Sequence, residues 1–175
     1  MSTEHEAAID AILQAAGVEM TTRYLGEKAE ALGGKHAMDE WQVTFKKARP
    51  YQPAHAIGAH LGPVVEHFEY FTGFGCRETV RGFKAINMPR AQYTKGHWQA
   101  TKPKAPRAAG VLYSLILDSS AAEQTFESWC GDYGYDTDSR KALATYLACQ
   151  DNADKLGRIF DRATRAALSE ALEGY

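Results

Sequence analysis

Hydrophobic side chains recur every three to four residues at the start of the chain and again in its last third. Ile9, Ile12 and Leu13 share one helical face that ends before Gly17, so the spacing predicts an N-terminal helix. In the last third, one face steps by four and three residues through Ala142, Tyr146, Cys149, Ala153, Leu156 and Phe160. That spacing is typical of a helix packed along another helix, either within the chain or across a dimer.

Between these helical regions, apolar and polar residues alternate, which is typical of strands with one buried face. The alternation covers residues 18–24, 41–46 and 64–71. Three strands form a stable antiparallel sheet when another layer covers one face. We therefore predict one α+β domain over 1–175. Its parts are an N-terminal helix at 1–17, a small antiparallel three-stranded sheet at 18–72, a basic loop region at 73–107 and a helical part at 108–175.

Helix starts in the last third are indicated by capping residues. Ser120 followed by Glu123 has the pattern of a capping box, which predicts a helix beginning just after Ser120. The loop GDYGYDTDS offers Asp136, Thr137 or Asp138 as the N-cap of the next helix, and Asp161 is the predicted N-cap of the last helix.

Composition indicates a soluble globular protein, with 45% hydrophobic and 24% charged residues among 175. No apolar run approaches the roughly 20 residues that a membrane span requires. Acidic residues stand where a signal peptide would carry basic ones. The chain has only three cysteines, Cys76, Cys130 and Cys149. Because they are few and their number is odd, they do not indicate a disulfide framework. We expect a cytoplasmic protein with reduced thiols and no membrane contact.

Charge is unevenly distributed, which the net charge of −2 conceals. Residues 77–107 carry eight basic side chains and one acidic side chain, whereas 1–45 and 108–175 are each acidic. Basic residues interleaved with aromatic ones are typical of single-stranded nucleic-acid binding. Alternatively, the basic region neutralises the protein's own acidic ends. The predicted binding residues are Arg77, Arg81, Lys84, Arg90, Tyr93, Lys95, Trp98, Lys102 and Lys104.

Candidate metal and catalytic groups do not form a recognised pattern. The spacing of His55, His60 and His67 matches no zinc motif, and Asp132, Asp136 and Asp138 lack the spacing of a calcium loop. Cys130 and Cys149 fall on apolar helical faces, where they are expected to be buried, and Cys76 has no histidine placed by sequence to act as its base. Trp41 and Trp129 are predicted to lie in the core. We predict no metal, no cofactor and no catalytic residues, and hence not an enzyme.

Four strings in order carry a resemblance: DEWQVTF at 39–45, FEYFTGFGCR at 68–77, VLYSLILDSSA at 111–121 and FESWCGDYGYDTDSRKALATYLACQ at 126–150. Together they resemble a family of small uncharacterised proteins of tailed bacteriophages and prophages, over most of residues 18–160. The resemblance implies no catalytic activity. It suggests a phage-encoded protein acting in the cytoplasm of an infected bacterium.

Three hypotheses follow from these observations. The first is a non-enzymatic, protein-binding inhibitor of a bacterial defence system. It would be anti-CRISPR-like, binding a Cas complex or its nucleic-acid site through either the acidic helices or the basic loop. The second is an accessory nucleic-acid-binding protein for phage DNA replication or recombination, using residues 77–107. The third is a cation-dependent hydrolase built on the Asp132 loop. An oligomer is compatible with all three.

Overall fold

The computed structural model describes residues 3–28, 38–48, 62–72, 79–80 and 104–175. It has an N-terminal helix, an antiparallel sheet and a helical C-terminal part, which confirms the predicted α+β class. The elements are α1 (Thr3–Ala16), β1 (Val18–Lys28), β2 (Met38–Lys47), β3 (Val64–Thr72), β4 (Thr79–Val80), α2 (Ala108–Ala122), α3 (Phe126–Tyr133), α4 (Arg140–Ile159) and α5 (Arg162–Ala171).

The sheet has the order β1-β2-β3-β4, and each neighbouring pair is antiparallel. The three long strands are those that the alternation predicted. A fourth strand of two residues, β4, pairs with Tyr70 and Phe71 of β3. This strand lies in the region predicted as loop. The sequence did not predict it, because two residues are too few to show alternation. Leu25 is an extra residue between the paired positions Tyr24 and Gly26, and this bulge ends the regular register of β1.

The first hydrophobic core lies between one face of the sheet and helices α1, α2, α4 and α5. Phe45 is fully buried at its centre, where its ring meets Phe68 and Phe160 edge to face at centroid distances of 5.8 Å each. The first turns of α2 are buried on every side, since Ala108, Ala109, Gly110, Val111 and Leu112 are all buried. A helix that is apolar all round is a central helix, and α2 has that position here.

A second, smaller core joins α3 to the end of α2 and the first half of α4. Trp129 is buried and stacks on Tyr135 at 4.9 Å with an interplanar angle of 8°. Cys130 and Cys149 are buried here as free thiols, as predicted. Both tryptophans that were predicted to be in the core, Trp41 and Trp129, are buried.

Helix α4 spans both cores and packs along α2 within the same chain. Of its predicted seam, Ala142, Tyr146, Cys149 and Leu156 are buried, and Phe160 follows at its C-cap. The seam therefore closes inside the domain rather than across a dimer. Asn152, which the predicted seam omitted, is buried between Cys149 and Leu156.

Two of the three capping predictions were wrong. Ser120 lies inside α2, where its hydroxyl donates to the carbonyl of Ile116, and Thr125 is the N-cap of α3. Ser139, rather than the aspartates before it, caps α4 and accepts from the Ala142 amide at 3.2 Å. Asp161 caps α5 by accepting from the Thr164 amide at 2.8 Å, which confirms the third prediction. Among the helices that the structure describes, none combines the length and the hydrophobicity that a membrane span requires.

Replacing Phe45 with alanine tests the first core. We expect Phe45→Ala to lower the free energy of unfolding by roughly 3–5 kcal/mol, because it removes a ring that two others enclose. The matched control is Leu147→Ala on the exposed face of α4, which we expect to change stability by no more than about 0.5 kcal/mol. Urea unfolding followed by circular dichroism measures both. Equal effects of the two substitutions would contradict this placement of the core.

Candidate interaction surface

The predicted basic binding region is almost entirely outside the described residues. Lys104 is the exception: it is exposed in the non-helical stretch that precedes α2. The other eight predicted binding residues lie outside the described ranges, namely Arg77, Arg81, Lys84, Arg90, Tyr93, Lys95, Trp98 and Lys102. Cys76, His55 and His60 also lie outside them. Whether these residues form one site therefore stays a prediction.

The candidate metal ligands that are described do not converge. His67 is exposed on β3, and its Nδ1 lies 2.8 Å from the hydroxyl of Thr44 on β2. Asp136 accepts the backbone N–H of Asp138 at 3.0 Å, so this carboxylate shapes the turn before α4. Asp132 is exposed on α3. Within the described ranges, no group of three histidine, cysteine or acidic side chains is placed to hold a metal ion.

A groove of about 370 Å³ lies between the sheet and α4. The sheet contributes Leu25, Gln42, His67, Phe68 and Glu69, and the helix contributes Ala144, Ala148, Asp151, Asn152 and Lys155. Lys155 forms an ion pair with Asp151 at 2.7 Å, and its ammonium lies 5.8 Å from the centroid of the Phe68 ring. The groove therefore combines apolar walls with charged side chains of both signs.

Exposed leucines lie beside this groove. Leu143 and Leu147 on α4 are 45% and 52% exposed, and Leu25 on the bulge of β1 is 45% exposed. Successive residues of an α-helix are about 100° apart, so the leucines form a strip adjacent to the groove wall made by Ala144 and Ala148. Exposed apolar side chains beside a groove with charged walls are candidates for a partner contact. We call the groove together with Leu143 and Leu147 the α4 surface.

The helical part on which this surface lies is acidic. No lysine or arginine occurs from 108 to 139, and Glu123, Glu127, Asp132, Asp136 and Asp138 are all exposed there. The aromatic stack of Trp129 and Tyr135 holds α3 and the following turn in place. This fixed acidic segment ends where α4 begins, one turn before Leu143.

A buried polar pair lies behind the groove, at the junction of the two cores. Asn152 lines the groove and donates to Oδ2 of Asp118 at 2.9 Å. Asp118 is fully buried, and its Oδ1 has no hydrogen-bond partner among the described residues. Burial raises the pKa of this carboxyl well above its usual range, and the Asn152 hydrogen bond only partly opposes the rise. Asp118 therefore keeps its proton to a higher pH than an exposed aspartic acid.

The buried thiol of Cys149 is held in its protonated form. Burial, with the neighbouring Asp118 as a second cause, raises the pKa of Cys149 to about 12. A thiol with that pKa is not a nucleophile at neutral pH, because the thiolate is the reactive form. Cys149 thus acts as a neutral packing group between α2 and α4, beside an aspartic acid whose pKa burial raises.

Sequence reasoning missed the α4 surface and the buried pair. Leu143 and Leu147 fall between seam positions, so a search for the buried face passes over them. Asp118 is marked in the sequence as the single acidic residue in the apolar run VLYSLILDSSA. Asn152 is marked by its position three residues after Cys149, which places it on the same helical face. Both are visible in the sequence, but only the three-dimensional packing shows that they meet.

Comparison with known proteins adds no relative: the chain matches no family model, and no similar curated protein or solved structure was found.

The pH dependence of stability tests the buried pair. Between the ordinary pKa of an aspartic acid and the raised pKa of folded Asp118, only the unfolded chain loses this proton. Asp118 therefore makes stability fall as pH rises through this window, by at most about 1.4 kcal/mol per pH unit. In Asp118→Asn the side chain stays neutral, so we expect the variant to gain stability relative to wild type as pH rises.

The matched control is Asp151→Asn, which removes an exposed carboxylate from the same helix pair. The stability of this variant should still fall as pH rises, as it does in the wild type. Urea midpoints measured from pH 4 to pH 9 supply the comparison. If the Asp118→Asn and wild-type curves run parallel, the Asp118 carboxyl has no raised pKa.

Proposed function

We propose that this protein is a non-enzymatic, protein-binding inhibitor of a bacterial defence system, anti-CRISPR-like in that it engages a Cas complex. The observation that carries the proposal is the α4 surface, where two half-exposed leucines border a groove of about 370 Å³ with mixed walls. Large exposed apolar side chains cost solubility, and on a soluble protein a strip of them is typical of a partner contact.

The charge distribution supports the choice of partner. Complexes that bind nucleic acids present basic surfaces, and an acidic protein segment is attracted to such a surface over distances of about 10 Å at moderate salt. The exposed acids at 123–138 lie on the same helical part as the α4 surface. In this proposal the acids steer the encounter, and Leu143 and Leu147 provide the desolvated contact that holds it.

The resemblance to bacteriophage and prophage proteins supplies the biological setting of the proposal, a phage-encoded protein acting in the cytoplasm of an infected host. It does not by itself distinguish defence inhibition from other phage functions. The experiment must therefore measure inhibition and binding separately.

The test is a plaque assay on a bacterium whose active CRISPR–Cas system targets the infecting phage. We expect expression of the wild-type chain to restore plaque formation. We expect Leu143→Asp/Leu147→Asp to lose that effect and to bind the purified Cas complex roughly tenfold or more weakly, because each substitution places a charge in the contact. The matched control is Ala166→Asp/Ala167→Asp, which adds two charges at exposed positions of α5.

Two results would count against the proposal. One is an absence of inhibition in hosts carrying each major type of CRISPR–Cas system. The other is that the variant with both leucines substituted and the control variant both inhibit as strongly as the wild type.

A second candidate function rests on the basic segment at 77–107, which carries eight basic side chains and one acidic side chain. We propose, as the alternative, an accessory nucleic-acid-binding protein for phage DNA replication or recombination. A single-stranded nucleic-acid complex held by phosphates weakens steeply with salt, with a log–log slope of about −0.7 per phosphate contacted.

Fluorescence anisotropy with a labelled DNA single strand tests this alternative. We expect reversal to glutamate at Arg81, Lys84, Arg90 and Lys95 to abolish binding. The control is Arg140→Glu/Lys141→Glu, which reverses two exposed charges at the start of α4 and should leave binding intact. Binding that is insensitive to the fourfold reversal would exclude the segment as the nucleic-acid site.

A further inference from the structure

The strand β1 is at the edge of the sheet and carries a long run of backbone groups on its outer side. The sheet order places β2 on one side of it, and among the described residues no strand pairs with its other side. An edge strand presents unpaired N–H and C=O groups, which form a template for another strand. Proteins that remain monomeric usually shorten, charge or cover such an edge.

The regular part of this edge is bounded on both sides. It begins at Val18, directly after the left-handed Gly17 that ends α1, and it stops at Tyr24, because Leu25 is the bulged residue. The segment Val18–Tyr24 has seven residues, and Thr21 is its centre. A two-fold axis through Thr21 would therefore use the whole regular segment of both chains.

The side chains along this segment complement one another about that centre. In an antiparallel pair centred on Thr21, Glu19 stands opposite Arg23 of the second chain, and Arg23 stands opposite its Glu19. Met20 stands opposite Thr22 of the second chain, and Thr21 stands opposite Thr21 of the second chain. Glu19, Thr21 and Arg23 are all exposed in the chain described here. A two-fold axis at Thr21 thus forms two opposite-charge pairs. An axis at any other residue of the segment would lose at least one of these pairs.

We propose that a second copy of this chain pairs with β1, through antiparallel hydrogen bonds over Val18–Tyr24 with the two-fold axis at Thr21. The two sheets then join into one continuous sheet across the dimer. The contact is one strand wide, and interfaces of that size are weak. The dimer is accordingly expected to form at micromolar concentrations and to exchange readily. The α4 surface reaches β1 only at Leu25, which lies outside the paired segment Val18–Tyr24.

Cysteine cross-linking tests the register directly. Residues directly opposite in an antiparallel pair have Cα atoms about 4.5–5.5 Å apart, within the range that a disulfide spans. We expect Thr21→Cys, in a Cys76→Ser background, to form a covalent dimer under mild oxidation. The control is Glu19→Cys, equally exposed on the same strand. Its two copies would be about 13 Å apart, four residues along the strand, and would not bridge.

Cross-linking of Thr21→Cys that is roughly tenfold or more faster than that of Glu19→Cys is the expected result, because pairing raises the effective thiol concentration. Equal rates would overturn the proposed register. Sedimentation of the wild type as a monomer up to high micromolar concentration would overturn the dimer itself.

A charge swap separates the contact between chains from effects within one chain. Glu19→Arg places like charges at both cross-pairs and should weaken the dimer several-fold. Adding Arg23→Glu should restore association. Position 19 faces Lys46 of β2 within the same sheet, and that neighbour is unchanged in both variants. Restoration therefore reports the contact between chains, whereas an equally weak double variant would overturn the proposal.

Discussion

The packing of α4 along α2 is the interaction on which the rest of the structure depends. These two helices contribute to both hydrophobic cores, and no other pair of described elements connects them. At the junction, Asn152 donates to the buried Asp118, and a polar pair in an otherwise apolar seam tolerates only one alignment of the two helices. A shift of α4 by one turn would separate these groups and take from the buried Asp118 carboxyl its hydrogen bond to Asn152, at a cost of roughly 1–3 kcal/mol.

The two cores perform different tasks. The first fixes the sheet against α1, α2 and α5, and its buried phenylalanines leave little freedom for the strands. The second is built from aromatic rings around Trp129, and it supports an exposed acidic segment rather than a sheet. Rigid support matters for binding, because a partner then orders fewer side chains on association. The acids and the leucines of the α4 surface are held by this second core and by α4 itself.

The predictable part of the fold was the part that simple periodicity encodes. Alternation in β1, β2 and β3 and the helical spacing in α1 and α4 each depend on which face is buried, so the sequence carries them directly. Caps were harder: the Ser120–Glu123 pattern predicted a helix start, but tertiary packing continues α2 to Ala122, and the next helix is capped by Thr125. Leu143 and Asn152 were missed for a related reason: exposure and pairing depend on what the neighbouring elements cover. The basic region, the strongest signal in the charge pattern, lies mostly outside the described residues.

The buried thiols of the second core have a practical consequence. Cys149 has a pKa of about 12 and is enclosed, so a reagent reaches it only when this part of the protein opens. The rate of its modification, followed site by site with mass spectrometry, therefore reports every opening that exposes Cys149, whether the second core opens alone or the whole domain unfolds. Because that core supports the acidic segment, the same rate sets an upper limit on how often the segment loses its support.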